Sequence, residues 1–455
     1  MTLAAAPTNP IADPEEARRF LADHPGIAFF EVMFTNLSGV PRGKRLRRHE
    51  LMAVYGQGRF LPGSILVCDI TGRDCEETGL VWEDGDADRV AWPAPGTLVP
   101  APWLGDDVGQ VITSMHELDG TPCDLDPRRV LAGVLERFAA DGLTPVVACE
   151  LEYYLLEAGG LELAGRPTQH GVYGLREIED AAPFLRELWR CADVQGVPLE
   201  GVISEYAPGQ LELTLRHGPD ALRAADEAVM YKRTAKGVAA RQGLEATFMA
   251  KPFAERAGSG LHLHVSVNDA AGANIFASDD PAGAPALAHA VGGLKATLAD
   301  GMAIFAPNAN SYRRFRPNSY APVAPTWGVN NRTVALRVPA GPPATRHVEH
   351  RVAGADANPY LALAVLLAGV HHGLAGKIDP GPPMVGNGYA AAAASGERLP
   401  TTWTAALAAF EASPVMADYL GERFVAMFAK VKRIEQDRFN EVVSALDYDW
   451  YLKNA

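Results

Sequence analysis

The stretch GSGLHLHVSV, Gly258 to Val267, alternates without exception: Leu261, Leu263, Val265 and Val267 on one side, His262, His264 and Ser266 on the other. The side-chain period of a strand is two, so this pattern predicts a strand whose apolar set packs on a core while two imidazoles point together at whatever lies opposite. A half-buried strand with a solvent face accounts for this segment taken alone. The pattern recurs, however. VVACELEYYLL puts Glu150 and Glu152 on one face, QLELTL sets Glu212 against leucines, HVEHRV groups His347, Glu349 and Arg351, and TVALRVP adds Arg337. Solvent faces usually carry Thr, Ser and Lys; faces that repeatedly carry Glu, His and Arg point to a site.

Around these strands the sequence predicts an α+β chain. A short helix near Pro14 to Ala22 precedes two strands joined by a turn at Asn36 to Gly39, and further short strands follow to about Thr113. Asp126 as N-cap and Pro127 at the first helical position open a helix whose apolar face is Val130, Leu131, Val134, Leu135 and Phe138. A domain boundary is expected near residue 120, giving a tail over 1–13, a first domain over 14–120 and a second over 121–455. In the second, helices through Phe184 to Ala192, Asp220 to Gln242 and Ala286 to Asp300 alternate with the strands quoted above.

The chain of 455 residues is 48% hydrophobic and 21% charged, which is globular composition, and its formal net charge is -14. That balance disfavours nucleic acid and anionic membrane as partners, since both select clustered Lys and Arg. Five cysteines, at 68, 75, 123, 149 and 191, form no CxxC pair. With no secretory leader pattern and no long uninterrupted apolar run, this predicts a cytoplasmic protein.

Glu150, Glu152, Glu205, Glu212 and Glu349 with His262 form an oxygen-rich donor set with one imidazole, which suits magnesium or manganese and is large enough for more than one ion. Arg313, Arg314, Arg316, Arg332, Arg337 and Arg351 would repel one another around a bare pocket, so they call for anions. Cations and arginines converging on one cavity are what a transferring phosphoryl group requires. GVPRGK at Gly39 is one residue short of a phosphate-binding P-loop and lacks its Ser or Thr; no GxGxxG before a helix, HExxH or GxSxG occurs.

Assembled in order, CELEYYL, SEYAPGQLE, GSGLHLHVS, NSYRRF, NNRTVALRVP and VEHRVAGADANPYL resemble the glutamine synthetase family over nearly the whole chain. The resemblance implies an N-terminal β-grasp domain, a catalytic domain built as an incomplete α/β barrel, and sites between adjacent subunits of a homo-dodecamer of two stacked hexameric rings. It implies that Glu152, Glu205 and Glu212 hold one metal ion and Glu150, His262 and Glu349 a second, with two or three Mg2+ or Mn2+ per site. Gly258, Arg314, Arg332 and Arg351 would bind L-glutamate. Glu200, His264, Ser266, Arg332 and Arg337 would bind ATP, leaving Arg332, Arg314 and Tyr320 as the residues nearest the chemistry. The implied reaction is formation of γ-glutamyl phosphate followed by attack of an amine.

Two departures bear on that amine. Ammonia-using members carry a glutamate six residues after the glutamate-binding arginine and an aspartate in the N-terminal domain; here those positions are Tyr320 and Leu61, with Ser64 nearby. Loss of both carboxylates suits an amine that carries carbon. The surrounding sequence is similar to the γ-glutamylputrescine and γ-glutamylpolyamine synthetases, so a polyamine is expected first and a small monoamine such as ethanolamine second. A glutamine synthetase using ammonia and a non-catalytic ring scaffold are the alternatives. Tyr320 is a candidate for the base that deprotonates the amine, or else plain packing, and Asp69, Glu76 and Glu77 are the other candidates. His347 stands where many relatives place an arginine near ATP, and Tyr389 sits in GNGYAAAA, which is not an adenylylation motif.

Overall fold

The structure, a computed structural model, describes residues 9–165 and 171–455; the first eight residues of the expected tail lie outside them. Asp13 accepts a hydrogen bond from the Glu15 N–H and caps a helix over Pro14–Asp23, as an acidic N-cap before proline predicts. Six strands follow: β1 (Phe29–Thr35), β2 (Pro41–Arg47), β3 (Arg59–Pro62), β4 (Asp88–Pro93), β5 (Val99–Pro100) and β6 (Val108–His116). They form one sheet in the order β2-β1-β6-β4-β3, with β5 on β6. β1 pairs antiparallel with β2 across the expected turn and parallel with β6, a β-grasp arrangement. Gly39 in that turn has φ +77°, and a Cβ there would lie 3.2 Å from the Asn358 Cα, so the turn needs glycine.

The expected boundary near residue 120 falls in a tight connection. Asp126 caps the helix Pro127–Ala140 with one oxygen and with the other accepts from Ser114 Oγ (2.6 Å) and Met115 N–H (2.8 Å) on β6. One carboxylate thus holds the first sheet to the first helix beyond it.

The second sheet has eight strands: β7 (Thr144–Glu157), β8 (Leu199–Ser204), β9 (Gln210–Leu215), β10 (Leu244–Thr247), β11 (Leu261–Asn268), β12 (Trp327–Val329), β13 (Leu336–Val338) and β14 (Val348–His350). Their order is β12-β13-β14-β11-β7-β9-β8, with β10 on β7, so the path is open at β12 and β8, as an incomplete barrel requires. Every pair is antiparallel except β12 with β13. The odd-numbered residues Val147, Cys149, Leu151, Tyr153, Leu211, Leu213, Leu261 and Leu263 are buried against helices. The even-numbered residues of β7, β9 and β11 face the other way and form the site together with Arg337 of β13 and Glu349 of β14.

Helix Pro359–Gly376 is long and apolar enough to cross a membrane, but 72% of it is buried inside the fold, so it serves as the core helix against which Pro285–Thr297 and Pro127–Ala140 pack. A continuous apolar cluster runs from Met33 and Ile112 in the first sheet through Leu263 and Leu366 to Phe428. The helix Glu422–Asn440 returns to the first domain. Its Lys432 and Glu435 pair at 2.8 Å while Glu435 also accepts from Ser38 Oγ and the Ile70 N–H, and Arg438 pairs with Asp69 at 2.6 Å. Removing one partner of the buried Lys432–Glu435 pair costs about 3–5 kcal/mol, and the half-buried Arg438 pair costs less.

Candidate active site

Strand register brings the charged residues together. Across β11 and β7 His262 stands opposite Glu150; across β7 and β9 Glu152 stands opposite Glu212; across β11 and β14 His264 stands opposite Glu349, which in turn opposes Arg337 on β13. Residues directly opposite on adjacent strands share a face at contact distance. A slip of one residue in any pair would turn the site into the core.

His262 is central: its Nδ1 lies 3.5 Å from Glu150, 3.6 Å from Glu212 and 3.9 Å from Glu349, and its Nε2 lies 3.8 Å from Glu152. Glu152 Oε2 is held by the Gly260 N–H at 2.7 Å and by Gln210 Nε2 at 3.4 Å. Burial, then the neighbouring Glu152, Glu150, Glu205 and Glu349, push the Glu212 carboxyl up to about 10. Burial and then Glu152 also raise Glu205. Burial weighs against the charge on Glu150 too, but hydrogen bonds from His262 and His264 hold its carboxyl well below the ordinary range.

Such crowding of buried carboxylates is costly unless a cation or proton sits among them. Ligand atoms of Glu152, Glu205 and Glu212 lie within 4.8 Å of one another, as do those of Glu150, Glu212 and His262, and those of Glu150, His264 and Glu349. The first trio is the set implied for one metal ion. The second implied set, Glu150, His262 and Glu349, is drawn differently: Glu212 joins Glu150 and His262, while Glu349 gathers with His264. Glu349 also accepts from Arg337 at 2.7 Å and from Arg351. Burial would raise its pKa, but Arg351, His262, His264 and Arg337 outweigh it and hold the carboxyl at about 2. The donor set, carboxylate oxygens with one or two imidazoles, fits magnesium or manganese.

Of the three arginines expected to bind glutamate, Arg314 and Arg351 are buried. Arg314, on the turn Ser311–Arg314, donates to the Val352 carbonyl at 3.1 Å, and its Nε and that of Arg351 have no partner. A Cβ at Gly258 would lie 2.6 Å from Arg314 Cγ, and one at Gly260 would lie 3.1 Å from Arg314 Nη2, so these glycines give the guanidinium its room. Buried guanidinium groups with unpaired N–H are an anion site. Asp356 fixes the loop that carries Arg314, accepting from Asn308 Nδ2 (2.8 Å) and Ser311 Oγ (2.7 Å).

Glu200, His264 and Ser266, the expected ATP contacts, line one cleft of about 960 Å³ together with Glu150, His217, Asn274, Thr345 and His347. His264 Nε2 lies 3.2 Å from Glu150, and its Nδ1 lies 3.1 Å from His347 Nε2. Arg332 is exposed on the loop between β12 and β13, and Arg337 is turned to Glu349; neither lines the cleft. Sequence reasoning missed Gln210, His217 and Asn274. Gln210 was legible, since it falls on the site face two residues before Glu212; His217 and Asn274 lie in connections where no period applies.

The residues expected around the amine differ in exposure. Tyr320 is exposed, with φ 57°, while Leu61 and Ser64 are buried in the first domain. Asp69 is removed from the candidate bases: it accepts from the Thr71 hydroxyl and N–H and the Arg73 N–H, and pairs with Arg438. Together these donors outweigh burial and lower its pKa. Glu76 and Glu77 are exposed on a turn. His350, next to Glu349, points to the other face, where burial and then His262 push it down to about 3.

Residues 124–451 match the glutamine synthetase catalytic-domain family. A γ-glutamylputrescine synthetase of Escherichia coli (strain K12) is 37% identical over 97% of this chain and 95% of its own. A γ-glutamylethanolamide synthetase of Streptomyces coelicolor is 33% identical over 93% and 91%. Among solved structures, a GmaS–ADP complex superposes with a TM-score of 0.85 at 30% identity, covering 97% of this chain and all of that one.

Proposed function

We propose, from the premise that this chain belongs to the glutamine synthetase family, that its amine substrate is a diamine or polyamine, with putrescine first. The chain is an ATP-dependent ligase that joins the γ-carboxylate of glutamate to an amine. The observation that carries the choice of amine is the loop after Arg314: Ser319 ties back to the Arg314 carbonyl at 3.1 Å, and the next residue presents the exposed phenol of Tyr320, not a carboxylate.

ATP lies in the cleft lined by Glu200, His264 and Ser266, and glutamate is held by Gly258, Arg314 and Arg351. Glu150, Glu152, Glu205, Glu212, His262 and Glu349 would hold the divalent ions, whose chemistry is to neutralise charge on the transferring phosphoryl group. Arg337, paired with Glu349, would add positive charge beside the same site, while Arg332 would reach it from its exposed loop. The γ-carboxylate attacks the terminal phosphorus and ADP leaves; the amine nitrogen then attacks the acyl carbon and phosphate leaves. The amine must be neutral to attack, and an alkyl ammonium with a pKa near 10 is about 0.1% neutral at pH 7.

The proposed assembly is a homo-dodecamer of two stacked hexameric rings, and the carboxy-terminal segment supports a contact between chains: Val442, Val443, Leu446, Tyr448, Trp450 and Leu452 are each more than half exposed. Five free, buried cysteines support a cytoplasmic location, and residue 120 remains the proposed domain boundary. The test of the mechanism is isotopic. Glutamate labelled with 18O in its γ-carboxylate should pass one label per turnover to phosphate when putrescine is present. Unlabelled phosphate would refute the acyl phosphate.

A further inference from the structure

Among the described residues only six non-glycine residues have positive φ, and three of them lie on the two loops that carry Tyr320 and Arg332: Asn318 (φ 60°), Tyr320 (φ 57°) and Asn330 (φ 47°). Backbone of this kind persists only where the surroundings over-determine it. Both loops are tied to one short segment at the start of the helix Gly388–Ser395, an element to which none of the metal, glutamate or nucleotide residues belongs.

Towards the Arg332 loop, Asn331 Nδ2 donates to the Gly386 carbonyl at 2.8 Å, and the Gly388 N–H donates to Thr333 Oγ1 at 2.8 Å. Thr333 Oγ1 in turn donates to Asn331 Oδ1 at 2.7 Å, so both neighbours of Arg332 are held. A Cβ at Gly388 would lie 2.5 Å from the Thr333 carbonyl oxygen, which makes this approach specific to glycine. Towards the other loop, the Tyr389 hydroxyl donates to the Ala321 carbonyl at 3.2 Å, one residue past Tyr320. The ring is buried. Burial raises its pKa, opposed by the Ser319 hydroxyl, the Arg351 guanidinium and the Tyr320 backbone.

We propose that Gly386 to Tyr389 is a brace that fixes the Tyr320 loop against the Arg332 loop, and that Tyr389 is a positioning residue that sets amine preference through Ala321 and Tyr320. This rests on the glutamate–amine ligase reading. The brace makes the choice of amine and the placement of Arg332 parts of one rigid unit: a loop that relaxes at Ala321 relaxes the surface the amine meets without touching the metal ligands or the nucleotide cleft.

The test is Tyr389→Phe, which removes one oxygen and keeps the ring. With the native protein active on putrescine, the variant should lower the ratio of kcat/KM for putrescine to that for ammonium by roughly 3–10-fold, the range of one net hydrogen bond. KM for glutamate and ATP should stay within about twofold. Adding Tyr320→Ala should change the ratio less in the Tyr389→Phe background than in the native one, because both act through the same loop. Thr333→Val loosens the brace from its other end and should move the same ratio, which keeps the test available if Tyr389→Phe fails to fold. An unchanged ratio in both variants overturns the brace, as does a variant that alters only KM for glutamate. A native protein that makes no γ-glutamyl amide overturns the ligase reading and the brace together.

Discussion

Replacing Glu212 by Gln should stabilise the metal-free protein at alkaline pH while removing its response to magnesium. In the folded chain burial and four neighbouring carboxylates push the Glu212 carboxyl up to about 10, against an ordinary value of 4.5. The unfolded chain therefore releases this proton as pH passes 4.5, while the folded chain keeps it until near 10. The contribution is full below 4.5 and is lost as pH rises through that window. The slope is at most about 1.4 kcal/mol per pH unit, so moving from pH 6 to pH 8 should cost the chelator-treated protein up to about 2.7 kcal/mol. Its melting temperature should fall by roughly 3–6 °C on that account. His264, raised by Glu150 despite burial, acts in the same direction, whereas Glu150, whose carboxyl is lowered, has given its full contribution by pH 6. Magnesium bound among these carboxylates would take the place of the proton, so its stabilisation should grow with pH. Thermal melts at pH 6, 7, 8 and 9, with chelator and with magnesium, check this for native and Glu212→Gln protein. Lys232, which burial lowers to about 7, adds stability as pH rises above 7 and opposes this fall, so the deciding quantity is the difference in slope between native and variant, and a variant with the native slope would refute the reasoning.

Three further outcomes follow from the geometry. Glu349→Ala should reduce kcat at least about 100-fold while leaving the elution volume on size exclusion unchanged, because it removes a candidate metal ligand and the shared partner of Arg337 and Arg351. The Tyr320→Glu, Leu61→Asp double variant should shift kcat/KM at least about tenfold towards ammonium relative to putrescine, measured with ADP release as the readout. Asp69→Asn should lower stability by about 1–3 kcal/mol in denaturant titration yet keep the native pH profile of kcat/KM for the amine, since its carboxylate is tied to Arg438 and the Thr71 turn.

Strand alternation makes most of the site legible in the sequence. Leu261 to Val267, Val147 to Leu155 and Leu211 to Leu215 can bury their apolar sets in only one register, and that register puts His262, Glu150, Glu152 and Glu212 on one face. Helix starts are legible where a cap announces them, at Asp13, Asp126 and Asp220. Which carboxylates group together is not, because Glu349 meets its partners through β14, a strand of three residues whose place depends on pairing with β11. The fate of Asp69 is hidden for a similar reason: its partner, Arg438, lies 369 residues away. The brace at Tyr389 is also invisible, since GNGYAAAA carries no pattern beyond a helix start, and its meaning lies in which carbonyl its hydroxyl reaches.

The most direct test of the central claim is a competition. The protein, with magnesium, ATP and glutamate, is offered ammonium, ethanolamine, putrescine and spermidine at equal concentrations, and the products are identified by mass. The γ-glutamyl adduct of putrescine or spermidine should dominate, with ADP formed only when glutamate is present. Glutamine as the main product, or ADP release that ignores glutamate, would contradict the account.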